Sequence, residues 1–180
     1  MEALALHRAF TLIEPGPVVL VTTHDGTGNN IMTITWTMVM GFSPDLAITT
    51  GPWNHSWAAL TTTRECVLAV PAADLLDTAV GIGMCSGRDT DKFARFGLTA
   101  KPASKVKAPL IAECLGNIEC KVVDVVEPHG IIVLRGVAAW IDAHRTERRL
   151  LHAIGDGTFV ADGEGFDRRE AMRAKIPPGL

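Results

Sequence analysis

Through the first half of the chain, apolar residues come in short runs ended by polar or turn-forming residues, a pattern of strands. Val18 to Thr23 is one such run, and Asp25-Gly26-Thr27-Gly28-Asn29 links it to the next, which predicts a hairpin. From Asn30 to Met40 the apolar Met32, Ile34, Trp36, Met38 and Met40 alternate with Thr33, Thr35 and Thr37. Period two over that length predicts one strand with a buried face and a threonine face that is wet or meets a ligand. Threonine suits strands whatever they touch, so the alternation by itself leaves an ordinary exposed surface open. Leu46 to Thr50 and Cys66 to Val70 are further short strands, divided by a helix starting near Ser56, and Asp74 to Met84 has helical apolar spacing. After a Pro102 to Pro109 linker, Ile118 to Val126 and Ile131 to Ile141 read as a strand pair turned by Glu127-Pro128-His129-Gly130. Their incomplete alternation predicts burial on both faces, by a helix or a partner subunit. Glu147 to Ile154 is expected to be helical, the glycine-rich stretch from Gly155 to form loops, and Pro177-Pro178-Gly179-Leu180 to be irregular. The sum is a mainly β chain with helices, of α+β class.

Composition narrows the function classes. With 180 residues, 47% apolar and 21% charged, the chain suits one domain spanning 1–180 around one hydrophobic core. The net charge is -3, and the basic clusters Arg145-Arg148-Arg149 and Arg168-Arg169-Arg173-Lys175 are too sparse for a nucleic-acid footprint. The start, Met1 to Arg8, lacks the pattern of a secretory leader, and no apolar run approaches the roughly 20 residues that cross a bilayer. A cytoplasmic protein without membrane contact is expected, so the sequon Asn54-His55-Ser56 has no secretory context. Cys66, Cys85, Cys114 and Cys120 contain no Cys-x-x-Cys pair and read as reduced thiols. Cys66 and Cys120 fit buried small hydrophobes, whereas Cys85 adjoins the loop described next, which leaves a redox role open to it. The six histidines lack metal-ligand spacing, so no metal is expected. Gly81-Ile82-Gly83-Met84-Cys85-Ser86-Gly87 has glycines, but they follow a helix-like segment and their spacing fails the dinucleotide fingerprint. No serine nucleophile elbow and no paired carboxylates are present, so no catalytic acid, base or nucleophile is assigned.

Two loops carry anion-binding chemistry. Ser86-Gly87-Arg88-Asp89-Thr90-Asp91-Lys92-Phe93 opens a helix expected over Thr90 to Phe96, with Asp89 or Thr90 as N-cap and Gly97 as the left-handed C-terminal residue. A lysine in a first helical turn faces amides that already carry partial positive charge, so Lys92 needs a compensating anion. Asp89 and Asp91 supply one internally; a ligand phosphate between the Ser86 hydroxyl, the amides near Gly87 and the Lys92 ammonium is the other possibility. The second loop, Gly51-Pro52-Trp53-Asn54-His55-Ser56, precedes a helix with Asn54 and Ser56 both placed as caps.

Taken in order, Pro17-Val18-Val19-Leu20-Val21-Thr22-Thr23, Asn30-Ile31-Met32-Thr33-Ile34-Thr35-Trp36, Asn54-His55-Ser56, Arg64-Glu65-Cys66-Val67 and Ser86 to Phe93 resemble the flavoredoxin branch of the flavin reductase-like family. The likeness runs from about Pro15 to Asp142 and includes Ala108-Pro109-Leu110-Ile111-Ala112-Glu113-Cys114. It implies a split β-barrel that binds FMN noncovalently, as a homodimer with the cofactor near the subunit interface. By the same resemblance the phosphate meets Asn54, His55, Ser56, Ser86, Gly87 and Lys92, the isoalloxazine lies against the strand from Met32 to Trp36, with Asn30 at its start, and Thr50 adjoins the ribityl chain. Thr37 departs from the pattern, since many relatives carry histidine or asparagine there, and the segment from 146 to 180, a helix and tail, has no firm correspondence.

The implied activity is oxidoreduction, with NADH or NADPH as transient donor and free flavin, a metal complex or a protein as acceptor. The lack of acid/base residues agrees with that, because a flavin itself accepts hydride and passes on electrons. Backbone amides along Met32 to Thr35 would stabilise a reduced ring, and Trp36 is expected to pack near the cofactor or to fill the core. A flavoredoxin-type electron carrier with little NAD(P)H activity, and a split-barrel module holding haem or a deazaflavin, stay open as alternatives.

Overall fold

The computed structural model describes residues 16–177. The segment read for a leader, Pro15 at the edge of the resemblance, and the last three residues lie outside the described residues.

Strands β1 (Val19–His24) and β2 (Asn29–Ile34) form the expected hairpin, in register Thr23↔Asn30 and His24↔Asn29. The Asp25 carboxylate makes the turn by accepting from the Thr27 and Gly28 amides at 2.8 and 2.9 Å, and those bonds hold its carboxyl well below the usual range. Strands β3 (Thr37–Val39), β4 (Asp45–Thr49), β5 (Glu65–Val70), β8 (Gly116–Val126) and β9 (Ile131–Ile141) complete a seven-stranded antiparallel sheet in the order β2-β1-β5-β8-β9-β4-β3. Two short hairpins lie outside it, β6 (Ala100–Lys101) with β7 (Leu110–Ile111) and β10 (Leu151–Ala153) with β11 (Phe159–Ala161).

That order closes the sheet on itself. β2 and β3 lie at opposite edges, yet only Thr35 and Trp36 separate them in the chain. Three Cα steps span roughly 11 Å at most, so the two edges must curl toward each other into a split barrel. The expected single strand from Asn30 to Met40 is therefore two strands. The alternation runs unbroken through the crossing because each half keeps an apolar side chain on every second residue.

The barrel interior holds Val19, Val21, Met32, Ile34, Ile48, Leu60, Cys66, Leu68, Cys120, Val122, Ile132 and Leu134. The opposite face of β1 and β5 is covered twice. Helix α2 (Leu76–Gly83) packs Ala79 and Ile82 on Leu20, Ile31 and Ala69, and the 102–109 linker lays Val106 and Ala108 on Val67. Two buried carboxylates pin the linker: Glu119 accepts from the Ser104 amide at 2.9 Å, the Trp140 indole at 2.8 Å and the Lys105 amide, while Glu65 accepts from the Lys107 amide at 2.7 Å. Burial alone would push both carboxyls up, but these donors, with Lys121 beside Glu65, bring both below their ordinary value.

The remaining α-helices among the described residues are α1 (Ser56–Thr63), α3 (Lys92–Arg95) and α4 (Arg169–Met172). α3 is shorter than the expected Thr90 to Phe96, and its N-cap is Asp91, whose carboxylate accepts from the Ala94 amide at 3.1 Å. Gly97 does take the left-handed conformation, at φ +63°. The expected helix from Glu147 to Ile154 is not formed. Leu151 and Ala153 point alternately into the core beside Val18, whose amide donates to Leu151 at 2.8 Å, so packing on a sheet edge overrides helix propensity.

Candidate functional site

Four of the sequence-derived residues converge at the N-terminus of α1. His55, Ser56, Asn30 and Gly87 line a cavity of about 310 Å³ together with Thr23, the 25–29 turn, Ala58 and Ala59. Ser56 is buried and is the first residue of the helix, not its cap; its hydroxyl accepts from the Asn30 side-chain amide at 2.8 Å and lies 3.5 Å from the Thr23 hydroxyl. Gly87 presses against the same amide. A Cβ there would fall 2.0 Å from Asn30 Oδ1, so the lack of a side chain brings the 86–93 loop onto β2.

The helix end facing this cavity is electrostatically incomplete. The N-cap position is His55, no side chain caps the first turn, and no acidic residue lies within it. The positive pole of an eight-residue helix, where the Trp57 amide is met by the Asn54 carbonyl at 3.0 Å and no side chain caps the rest, thus lies at the cavity beside a hydroxyl and an amide. Asp25 is the carboxylate on the far rim, and its Oδ1 is occupied by Thr27 and Gly28. These residues fit a phosphate monoester.

Other expected contacts are used differently. Asn54 does not cap α1; its amide donates to the Thr50 hydroxyl at 2.9 Å, and that hydroxyl lies 3.9 Å from Met32 Sδ, which links Asn54, Thr50 and Met32, none of which lines the cavity. Ser86 turns its hydroxyl onto its own loop, accepting from the Arg88 amide at 3.1 Å. Thr33 is not on a wet face: α2 covers it, and its hydroxyl donates to the Ala79 carbonyl at 2.6 Å. Met32 is buried in the barrel interior, Thr35 is half-buried at the crossing, and Trp36 is 53% exposed, so Trp36 does not fill the core.

Lys92 is the clearest departure. Its side chain is 5% exposed, and the ammonium donates to the carbonyls of Ile31 at 2.8 Å and Ile82 at 2.9 Å. The compensating negative charge that a first-turn lysine requires is therefore supplied by the C-terminal end of α2 and the outer edge of β2. Burial pulls the Lys92 ammonium below its ordinary value, the nearby Cys85 opposing. Lys92 is not among the residues lining the cavity.

Sequence reasoning missed Thr23 as a site residue. The signal was present, since the 25–29 turn fixes the register that sets Thr23 opposite Asn30. It also passed over Trp53, whose ring lies across Gly51 and Gly130, 71% exposed, beside Thr50 and Asn54.

The flavin reductase like domain matches residues 12–158. The chain belongs to this family. It is 36% identical over 99 residues to an uncharacterized protein of Archaeoglobus fulgidus, a match covering 54% of this chain and 56% of that one. In fold it is similar to the flavoredoxin of Desulfovibrio vulgaris, with a TM-score of 0.83 and 24% identity over 93% of this chain and 97% of the other. It is likewise similar to an FMN-binding domain of flavin reductases-like enzyme from Shewanella baltica, with a TM-score of 0.76 and 24% identity over 92% and 96%. The split barrel of this flavin reductase-like chain is thus the family's fold.

Proposed function

We propose that this chain binds FMN and works as an oxidoreductase that takes electrons from NADH or NADPH and passes them to free flavin or another acceptor. The carrying observation is the uncapped α1 N-terminus opening on the cavity of Ser56, Asn30 and Gly87. There the first-turn amides, the Ser56 hydroxyl and the Asn30 amide hold the phosphate, Thr50 and Asn54 border the ribityl chain, and Trp36 and Trp53 border the ring. Bound flavin supplies the hydride and electron chemistry. The protein's part is to bind, orient and exclude water, which agrees with its buried carboxylates being saturated by donors: Glu65 and Glu119 hold the linker and stay ionised at neutral pH.

The partner in this reading is a second copy of the chain. Trp36 just before β3, Met38 and Val39 on it, and Met40 and Phe42 in the loop after it are all exposed, an apolar strip on a sheet edge that a homodimer covers. The deciding experiment mixes FMN-loaded protein anaerobically with NADH or NADPH. Rapid bleaching of the flavin band supports the reductase; a flavin that bleaches only with dithionite shows an electron carrier instead.

A further inference from the structure

Beyond β11 the chain leaves its own barrel. The Asp162 carboxylate holds the exit, accepting from the Leu150 amide at 3.0 Å and pairing with His152 Nε2 at 2.7 Å. Every residue from Gly163 to Lys175 is then exposed. Among the described residues, the hydrogen bonds and ion pairs of this arm are all internal to it: Arg169 pairs with Asp167 and Arg173 with Glu170, each at 2.6 Å, the Met172 amide donates to the Arg168 carbonyl, and the Arg168 guanidinium lies over the Phe166 ring. Ordering a stretch of backbone costs conformational entropy that burial has to offset, and this arm buries nothing against its own chain. Its two large apolar side chains, Phe166 and Met172, are 68% and 53% exposed.

A second apolar surface on the same chain lacks cover. β3 is an edge of the seven-stranded sheet, and Met38, Val39, Met40 and Phe42 stand exposed on it and on the loop that follows, Val39 at 72% and Phe42 at 75%. No charged residue occurs between Trp36 and Ser43. The arm suits such a surface, because Glu164, Asp167 and Glu170 nearly balance Arg168, Arg169, Arg173 and Lys175, and two of those arginines are already paired. An arm with its charges satisfied internally has only Phe166 and Met172 left to offer, which selects an apolar target over a polyanion. Within one chain the arm and the strip leave each other exposed. Fully extended, the arm reaches roughly 40 Å, enough to cross onto a second copy, and a twofold pair lets each copy give its arm and receive the other's.

We infer that residues 163–175 form an exchanged arm of a homodimer, with Phe166 and Met172 seated on the partner's Met38, the partner's Val39, the partner's Met40 and the partner's Phe42. The inference rests on the homodimer reading above, and it differs from a dimer in which strip meets strip and both arms stay in solvent.

The test uses the full chain. One sample carries the photo-crosslinker p-benzoylphenylalanine in place of Phe166, and irradiation is followed by mass mapping of the linked peptides. Sedimentation equilibrium compares the original protein with the double variant Phe166→Ser, Met172→Ser, whose altered side chains belong to no core. The expected results are covalent pairs of chains joined from the arm to residues 36–43, and a dimer dissociation constant raised at least about tenfold in the double variant, as two lost apolar anchors require. A smaller shift, or crosslinks that stay within one chain or fall outside that strip, overturns the exchanged arm while the homodimer stands. An original protein that sediments as a monomer throughout the micromolar range removes the homodimer reading and the arm with it.

Discussion

Replacing Lys92 with methionine separates a structural cation from a ligand cation. Methionine keeps the apolar length of the side chain but removes the donors to Ile31 and Ile82, at 2.8 and 2.9 Å. Each carbonyl then loses its ammonium donor in a buried place, the Ile82 carbonyl keeping only the long contact from the Cys85 thiol at 3.8 Å, at about 1–3 kcal/mol apiece. The Ile82 carbonyl belongs to the last turn of α2, where a cation also offsets the helix dipole by about 0.3–1 kcal/mol. Against this stands relief of the desolvation of a side chain that is 5% exposed, so the net expectation is a loss of about 2–4 kcal/mol. Urea denaturation followed by tryptophan fluorescence reads this as a lower midpoint at constant m-value. FMN affinity, measured where the variant is fully folded, should change less than about threefold, because the ammonium is engaged by the Ile31 and Ile82 carbonyls and Lys92 does not line the phosphate cavity. An unchanged midpoint combined with a tenfold or greater loss of FMN affinity would refute this reasoning and return Lys92 to the ligand.

The linker carboxylates give the chain an acid-sensitive latch. Because the folded carboxyl of Glu119 is held below its ordinary value, its contribution is present above about pH 4.5 and is lost as pH falls through the folded value, so the unfolding free energy should drop across that window. Glu119→Gln should lower stability at pH 7 by about 2–4 kcal/mol and flatten that acid-side slope, as read by denaturation across pH. Gly87→Ala places a methyl group 2.0 Å from Asn30 Oδ1, so the Asn30 amide must swing off Ser56. FMN affinity should fall about tenfold while stability changes by about 1 kcal/mol; an unaltered affinity would remove Asn30 from the phosphate site.

Much of this architecture was legible in local pattern. The β1–β2 hairpin, α1, α2, the β8–β9 pair and the left-handed Gly97 all follow from turn residues and apolar spacing. The crossing at Thr35 and Trp36 was hidden, because side-chain alternation does not register which neighbour a strand pairs with. At the site, Asn30, His55, Ser56 and Gly87, drawn from separate stretches of the sequence, line one cavity. The partners of Lys92 and Asn54 were not legible for a common reason: a polar side chain near a helix start has several acceptors within reach, and only the tertiary fold decides among them. Neither the Ile82 carbonyl facing Lys92 nor the Thr50 hydroxyl facing Asn54 is a neighbour in sequence.

The claim on which the account stands is that a phosphate monoester is held by the open end of α1. Calorimetric titration of the flavin-free chain with FMN and with riboflavin, which share every atom except that phosphate, tests it most directly. A helix-terminal amide site with two further hydrogen bonds predicts that riboflavin binds about a hundredfold or more weakly. Equal affinities for the two flavins would contradict it.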